Sequence, residues 1–180
     1  GEEVLLQGWL HAIRRLGGVT FVVLRDGWGM AQAVTESDAD LAPLATPAGT
    51  CQVESVIALQ GTVVANPQAP GGYELQSPEI SVITPIYDAP PVAINKREIK
   101  AQLGTQLDHA VIANRHPRQR AIFRMAACAM QAFRTTLVGQ GFTEIQTPKI
   151  VASATEGGAN VFKIDYFGTP AWLAQSPQFY

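Results

Sequence analysis

The stretch VTFVVLRDGWGMAQAV, residues 19–34, decides the fold of this 180-residue chain. It holds two apolar runs, Val19 to Asp26 and Met30 to Val34, joined by the turn residues Gly27-Trp28-Gly29. A third run, Val4 to Ala12, comes before them and is followed by Gly17-Gly18. Short apolar runs bounded by glycine-rich turns are typical of consecutive antiparallel strands. The first 34 residues therefore predict a three-stranded β-meander.

Two further strands are predicted after a short helix. The helix spans Asp38 to Ala45 with Asp38 or Ser37 as its cap, and the strands are Ser55 to Val64 and Tyr73 to Val82. Residues 66–72 are rich in proline and glycine and form the loop between these strands. Five strands with a helix between the third and fourth is the order of an OB-fold barrel, whose second and third strands commonly bind oligonucleotides.

Charge is distributed unevenly along the chain. Residues 1–95 carry three Lys or Arg and ten Asp or Glu, whereas residues 96–180 carry ten and five, which together give the net charge of −2. The proline-containing segment Asp88 to Val92 lies at this shift. We therefore expect an OB-fold domain over 1–90, a hinge over 91–116 and a second domain over 117–180. The acidic first domain argues against phosphate-driven binding, so any RNA is expected to be held through its bases.

The second domain begins with a predicted long helix. From Pro117 to Gln140, apolar residues at 122, 126, 129, 130, 133 and 137 lie on one helical face, and Pro117 suits the first turn. Strands are predicted over Phe142 to Ile145, Val161 to Asp165 and Ala171 to Ala174. A long helix followed by such strands is not specific to one fold.

Several classes of protein are disfavoured by the sequence. No apolar run approaches the length of a membrane span, and the acidic start lacks the pattern of a signal peptide, so we expect a cytoplasmic protein. Cys51 and Cys128 lie far apart, without metal-ligand spacing, and are predicted to be free buried thiols. We expect no metal ligands and no catalytic nucleophile among these residues.

Three side chains on the predicted second and third strands are suited to reading unpaired bases. Phe21 offers a stacking plane, Arg25 a guanidinium, and Gln32 an amide with both donor and acceptor. The structural alternative is that Phe21 belongs to the core and Arg25 to a surface ion pair.

Motifs along the whole chain resemble the class II aminoacyl-tRNA synthetases of the aspartate, asparagine and lysine subgroup, and in particular the archaeal-type aspartyl-tRNA synthetases. Gly8-Trp9-Leu10, Phe21 to Asp26 and Gln32 are similar to the anticodon-binding barrel. The long helix with residues 141–150 resembles motif one, through which this family forms homodimers. The resemblance therefore implies that residues 117–180 are the start of an α+β catalytic domain, an antiparallel sheet with flanking helices. Residues 154–158, Ala-Thr-Glu-Gly-Gly, resemble the loop that closes over the amino acid, and Gln175-Ser-Pro-Gln178 resembles the strand behind it.

The resemblance implies roles for individual residues. Phe21 and Arg25 would contact the anticodon, and Gln32 would hydrogen-bond its middle base. Glu156 would pair with the α-ammonium of L-aspartate, and Gln178 would add a neutral hydrogen bond. ATP and Mg²⁺ would be substrate and ion of the full-length enzyme, with none bound by the residues present.

Two residues bear on which tRNA is charged. His11 and Pro70 stand where family members that also charge tRNA(Asn) carry His and Pro, so the resemblance implies a non-discriminating enzyme acting on tRNA(Asp) and tRNA(Asn). The structural alternative is that Pro70 is an ordinary turn proline and that His11 caps a strand. Asparaginyl-tRNA synthetase is the nearest competing function. Because motifs two and three are absent, the chain is expected to be truncated and inactive alone, which leaves a non-catalytic tRNA-binding module as a further alternative.

Overall fold

The computed structural model describes residues 1–153 and 161–176. The chain divides into two compact units, Gly1–Phe123 and Arg124–Tyr180.

The first unit contains a closed barrel with the strand order β1-β2-β3-β7-β6. Its strands are β1 (Glu3–Leu16), β2 (Val19–Arg25), β3 (Met30–Thr35), β6 (Val56–Ala65) and β7 (Tyr73–Thr84). The first half of β1 pairs with β6 and its second half with β2, while β3 and β7 are parallel neighbours that close the barrel. The predicted OB-fold is confirmed.

A 3₁₀ helix, Asp38–Leu44, lies between the third strand and the fourth long strand. Ser37 is its cap, because the Ser37 hydroxyl accepts a hydrogen bond from the Ala39 backbone at 3.2 Å. Pro43 lies inside the helix, and proline has no backbone N–H for α-helical bonding. The helix is followed by a small hairpin of β4 (Ala45–Thr46) and β5 (Gly49–Thr50).

The barrel interior is filled by aliphatic side chains from all five strands and from the 3₁₀ helix. Val22 and Leu24 on β2 point inward, so Phe21, Val23 and Arg25 point to the opposite face. The buried core comprises Leu10, Val22, Leu24, Ala33, Leu41, Leu44, Cys51, Ile57, Leu59, Leu75 and Ile80. The register of β1 against β2 shifts between Leu10 and Ala12, which makes His11 the extra residue of a β-bulge.

The segment predicted as a hinge folds within the same unit as the barrel. Val92, Ile94 and Ala113 form a second buried cluster beside two short helices, α1 (Leu103–Asp108) and α2 (Ala110–Ala113). His116 is also buried, with Nε2 2.9 Å from the Lys96 carbonyl oxygen. The division at 90, 116 and 117 stays a prediction.

The long helix α3 spans Pro117–Gly139, in agreement with the sequence. It ends where Gly141 adopts a left-handed backbone with φ of 88° and the Phe142 backbone N–H bonds to the Leu137 carbonyl. None of its residues, all of which the structure describes, is buried. Cys128 is therefore exposed and the prediction of a buried thiol is wrong there, whereas Cys51 is buried; both cysteines are free.

The second unit also contains a three-stranded antiparallel sheet. Its order is β8-β10-β9, with β8 at Ile150–Val151, β9 at Lys163–Tyr166 and β10 at Thr169–Leu173. The two later strands match the prediction, but residues 142–148 are irregular, so the strand predicted at Phe142 to Ile145 is wrong. A strand needs a ladder partner, and none of the strands in the described part of the chain pairs with this segment.

Within the described residues, no helix is long and apolar enough to cross a membrane.

Candidate nucleic-acid interface

Phe21 lies on the outer surface of the barrel, on what we call the β1–β2–β3 face. This face is defined by Arg14, Phe21, Val23, Gln32 and Val34. Phe21 is opposite Arg14 on β1 and Val34 on β3, and Val23 is opposite Gln32. The Phe21 ring is half-buried and Arg14 is exposed, so an aromatic ring lies beside a solvent-exposed positive charge. Such a pair is suited to stacking a base and contacting its phosphate.

Gln32 lies on the same face and is held from the neighbouring strand. Its Nε2 donates to the Glu74 carboxylate at 3.4 Å, and the same carboxylate oxygen accepts a 2.7 Å bond from Nδ2 of Asn66. Gln32 and Glu74 are only 9% and 8% exposed. An amide that is held in this way keeps its remaining donor and its carbonyl oxygen in a set direction. The sequence indicated a role for Gln32 but none for Glu74 or Asn66.

Arg25 is placed differently from the expectation. Its side chain is 2% exposed and forms a 2.7 Å ion pair with Glu54, whose side chain is also 2% exposed. The second oxygen of Glu54 accepts a 2.9 Å bond from Arg115, close to the start of α3. Both guanidinium groups lie over the Trp9 ring, at 5.5 Å for Arg25 and 4.9 Å for Arg115. The geometry gives Arg25 a structural role and does not support direct contact with a base, because the side chain is buried and two of its guanidinium nitrogens bond to His11 and Glu54.

Trp9, Arg25, Glu54 and Arg115 form one ion-pair cluster, in which the sequence did not indicate the role of Glu54. Glu54 adopts a left-handed backbone with φ of 74°, and its backbone N–H donates to the Leu10 carbonyl at 2.8 Å. A non-glycine residue with this backbone conformation is uncommon and carries strain. The sequence shows Glu54 as an isolated acid just before an apolar strand, which could have marked it as a buried charge. Its two arginine partners could not be read from the sequence.

His11 is buried within the same cluster, with 5% exposure, and its Nδ1 lies 3.0 Å from Nη1 of Arg25. Since arginine can only donate, Nδ1 is the acceptor and the ring is neutral. Burial lowers the pKa of His11, and the charge of Arg25 lowers it further. This buried position does not support direct contact with a base.

Pro70 lies in the loop between β6 and β7, in a single 3₁₀ turn, Pro70–Gly72. The turn continues through Gly71 with φ of 77° and Gly72 with φ of 84°, a backbone region that favours glycine. Asn66 begins this loop, and its backbone N–H donates to the Gly72 carbonyl at 2.9 Å. Pro70 therefore belongs to a loop that Asn66 connects to Glu74.

The two residues expected to bind the amino acid, Glu156 and Gln178, lie outside the described residues. Among the residues that the structure does describe, no three His, Cys, Asp or Glu side chains are grouped to hold a metal ion.

Comparison with known proteins identifies both parts of the chain. Residues 4–83 match the family model of the OB-fold nucleic acid binding domain, and residues 102–180 match that of the class II tRNA synthetases (D, K and N). The chain thus combines an OB-fold nucleic acid binding domain with the start of a class II tRNA synthetase domain. This family uses ATP and Mg²⁺.

Curated relatives match this chain over its whole length. Aspartate–tRNA(Asp/Asn) ligase of Deinococcus radiodurans is 48% identical over 180 residues, which are 100% of this chain and 39% of the relative. The enzyme of the same name from Methanocaldococcus jannaschii is 40% identical over 181 residues, covering 100% of the chain and 41% of the relative. The chain thus spans about two fifths of the length of the curated relatives that it matches.

Solved structures show the same fold. Asparaginyl-tRNA synthetase from Pyrococcus horikoshii, complexed with asparaginyl-adenylate, matches with a TM-score of 0.80 and 31% identity, over 100% of this chain and 41% of the other. A putative aspartyl-tRNA synthetase from Leishmania major matches with a TM-score of 0.75 and 29% identity, over 99% and 37%.

Replacing Glu54 by Gln tests the buried ion pair. Glu54→Gln keeps the size of the side chain but leaves Arg25 without its buried counter-charge, so we expect the free energy of unfolding to fall by about 3–5 kcal/mol. Urea unfolding followed by tryptophan fluorescence measures this loss. Asp38→Asn is the control, because Asp38 and Arg15 form an exposed pair at 3.6 Å, for which a loss below about 1 kcal/mol is expected. Equal losses in the two variants would show that the Glu54 charge contributes little.

The lowered pKa of His11 predicts a pH dependence of stability. Because the folded pKa lies below the usual 6.5, the unfolded chain binds more protons, and stability is complete above pH 6.5 and falls as the pH decreases through the folded pKa. His11→Asn keeps an acceptor for Arg25 and removes the titration. We expect the free energy of unfolding of this variant to decline less than that of the wild type between pH 7.5 and about pH 5. If the free energy of unfolding depends on pH in the same way in both proteins, His11 is not the group responsible. The other two histidines, His109 and His116, are present in both proteins and so do not affect the comparison.

Proposed function

We propose that the protein is an aspartate–tRNA ligase that charges both tRNA(Asp) and tRNA(Asn), with residues 4–83 as its anticodon-binding domain. The observation that carries the proposal is the β1–β2–β3 face, on which half-buried Phe21 lies beside an amide, Gln32, held by Glu74. The names of the curated relatives support the same substrates.

The barrel would recognise the anticodon through its bases. Phe21 presents an aromatic plane for stacking, and Gln32 presents a donor and an acceptor toward the edge of the middle base. The anticodons of tRNA(Asp) and tRNA(Asn) share their first two bases and differ only at the third. Contacts through Phe21 and Gln32 would therefore be the same for both tRNAs.

In the complete protein, the class II domain would join L-aspartate to ATP. The α-carboxylate of aspartate attacks the α-phosphorus of ATP, and pyrophosphate leaves. A hydroxyl at the 3′ end of the tRNA then attacks the carbonyl carbon of the adenylate, takes the aspartyl group and releases AMP. This chemistry rests on positioning and charge stabilisation and needs no protein nucleophile. Glu156 would bind the α-ammonium and Gln178 would hydrogen-bond the substrate. ATP and Mg²⁺ would be held by parts of the enzyme other than these residues, and the enzyme would act in the cytoplasm.

The exposed apolar surface of α3 supports a homodimer. Met130, Phe133, Val138 and Phe142 are 57–67% exposed and line one groove of about 480 Å³. An apolar surface of this kind in a water-exposed helix is typical of an interface. A second copy of the chain would cover it through motif one.

Asparaginyl-tRNA synthetase is the second candidate. It is favoured by the similarity to the Pyrococcus horikoshii enzyme, with its TM-score of 0.80. The two candidates share the anticodon face and differ in the amino acid that they activate.

Binding to anticodon stem-loops tests the barrel directly. We expect Phe21→Ala to weaken binding of the tRNA(Asp) stem-loop by about 1–3 kcal/mol, because one base loses its stacking partner. Fluorescence anisotropy with the 180-residue chain measures the dissociation constant. Trp28→Ala is the matched control, since Trp28 is 94% exposed in the β2–β3 turn and lies off the β1–β2–β3 face. If Trp28→Ala weakens binding and Phe21→Ala does not, the RNA binds elsewhere.

Charging assays test the substrates of the complete protein. We expect aspartate to support ATP–pyrophosphate exchange, and kcat/KM for tRNA(Asp) and tRNA(Asn) transcripts to agree within roughly tenfold, since the first two anticodon bases are identical. Exchange with asparagine instead of aspartate would establish the second candidate. Rejection of the tRNA(Asn) transcript by a hundredfold or more would show that the enzyme is discriminating.

A further inference from the structure

An exposed apolar patch lies beside the turn between β2 and β3, at one end of the barrel. Trp28 in this turn is 94% exposed, and Leu5 on β1 and Met30 on β3 are also large apolar side chains exposed to water. Together with Leu6 and Leu24 they line one cavity of about 400 Å³. We call Leu5, Trp28 and Met30 the Trp28 patch. Exposed apolar side chains grouped in this way are typical of interaction surfaces.

The turn that carries Trp28 is held by its own backbone bonds. One carboxylate oxygen of Asp26 accepts from the backbone N–H groups of Trp28 at 2.6 Å and of Gly29 at 2.7 Å, and the Asp26 N–H donates to the Gly29 carbonyl at 3.1 Å. The bonds from Gly29 and Trp28 lower the pKa of Asp26, so this carboxylate is charged at neutral pH and keeps both bonds. Trp28 is therefore exposed on a turn of fixed shape.

Helix α3 also holds this turn. Arg120, in the first turn of the helix, donates to the carbonyl oxygens of Asp26, at 3.4 Å, and of Gly27. Arg120 belongs to the stretch, residues 102–180, that matches the class II tRNA synthetases. The barrel turn is thus bonded to the class II stretch of the chain. An aromatic side chain on a fixed support loses little conformational entropy on binding, and tryptophan is common among the residues that contribute most to interfaces.

The charges around the Trp28 patch disfavour RNA as its partner. Among the described residues, no Lys or Arg side chain lines the cavity, whereas Asp26 does. Glu3 is exposed on the same side of β1 as Leu5, because the two lie two residues apart on one strand. These carboxylates would repel a phosphate backbone. An apolar segment of protein fits this surface better.

The length of the relatives indicates where such a segment comes from. This chain makes up 39% of the Deinococcus radiodurans relative and 41% of the Methanocaldococcus jannaschii relative. A synthetase of that length has most of its class II domain outside these 180 residues. Because a domain is built around one core, the remainder packs on the class II stretch to which the Trp28 turn is bonded.

We propose that the Trp28 patch is the docking surface on the barrel for the part of the class II domain that follows residue 180. Apolar side chains of that part cover Trp28 and Met30, while Asp26 and Arg120 hold the turn in place. The inference goes beyond the proposed function, since it requires a complete class II domain but neither a particular amino acid nor recognition of the anticodon.

Thiol labelling compares the patch in the 180-residue chain and in the complete protein. Gly29→Cys places a thiol beside Trp28 and keeps the indole; a Cβ at Gly29 meets no atom within 4 Å, and its backbone is not left-handed. Both proteins also carry Cys128→Ser, because Cys128 is exposed. Labelling by N-ethylmaleimide is followed by mass spectrometry of the peptide that contains position 29. We expect this thiol to react about tenfold or more slowly in the complete protein.

Two controls accompany this comparison. Leu16→Cys should react at the same rate in both proteins, because Leu16 is also exposed and pairs with Val19 at the far end of β1 and β2. The buried Cys51 should stay unlabelled in both, which shows that the barrel is folded.

Trp28→Ala, added to Gly29→Cys, tests the indole itself. In the complete protein it should raise the labelling rate at position 29 by about fivefold or more, because the docked segment loses its main anchor. In the 180-residue chain the same change should leave the rate unaltered, since no docked segment is present there. An unaltered rate in the complete protein would show that Trp28 does not anchor the contact and would overturn the inference.

Three other results would also overturn it. The first is equal labelling of Gly29→Cys in the two proteins. The second is protection that disappears when the complete protein is diluted to a monomer, which would assign the patch to a second copy. The third is protection that appears only when a tRNA(Asp) transcript is added, which would assign the patch to RNA. A complete protein that protects position 29 but charges no tRNA would contradict the proposed function and leave this inference intact.

Discussion

The buried carboxylate of Glu54 is the interaction on which the arrangement of the first unit depends. It neutralises Arg25 on the barrel and Arg115 close to the start of α3, at 2.7 and 2.9 Å, and both arginines lie over Trp9. Removing either partner from such a pair would leave a charge in a region without water, which is costly. Cation–π contact with the indole adds a smaller favourable contribution. The segment that precedes α3 is thereby fixed to the barrel by charge as well as by the apolar cluster of Val92, Ile94 and Ala113.

The ion-pair cluster of Trp9, Arg25, Glu54 and Arg115 is distinct from the β1–β2–β3 face of the barrel. His11 and Arg25 lie inside it and contact each other, so their side chains stabilise the fold. Phe21 on β2 and Gln32 on β3 lie outside this cluster. Phe21 is half-buried, and the buried amide of Gln32 is the only one of the four side chains with a partner on β7 among the described residues. The partners of each side chain therefore distinguish the ion-pair cluster from the β1–β2–β3 face.

The second unit differs from the first in having few buried side chains among its described residues. Helix α3, most of which lies in this unit, has no buried residue, and the apolar side chains along it are exposed within the single chain. The segment after the helix is irregular where the sequence predicts a strand. Both features have one cause, since an amphipathic helix and a β-strand each need a neighbouring element to satisfy their apolar side chains and their backbone groups. The homodimer that we propose would supply such a neighbour.

The sequence by itself determined the barrel, the long helix and the family, because these depend on local signals: glycine-bounded apolar runs, a proline at a helix start, and motifs in a fixed order. It also identified Phe21 and Gln32 as candidates for base recognition, since alternation along β2 and β3 places both on the outer face. Only the tertiary structure decided that Arg25 and His11 are buried, that Glu54 is the partner of Arg25, and that Glu74 is the partner of Gln32. Glu54 lies 29 residues from Arg25 and 61 from Arg115, and Glu74 lies 42 from Gln32. Contacts at such separations arise when distant segments fold against one another, and no local pattern in the sequence records them.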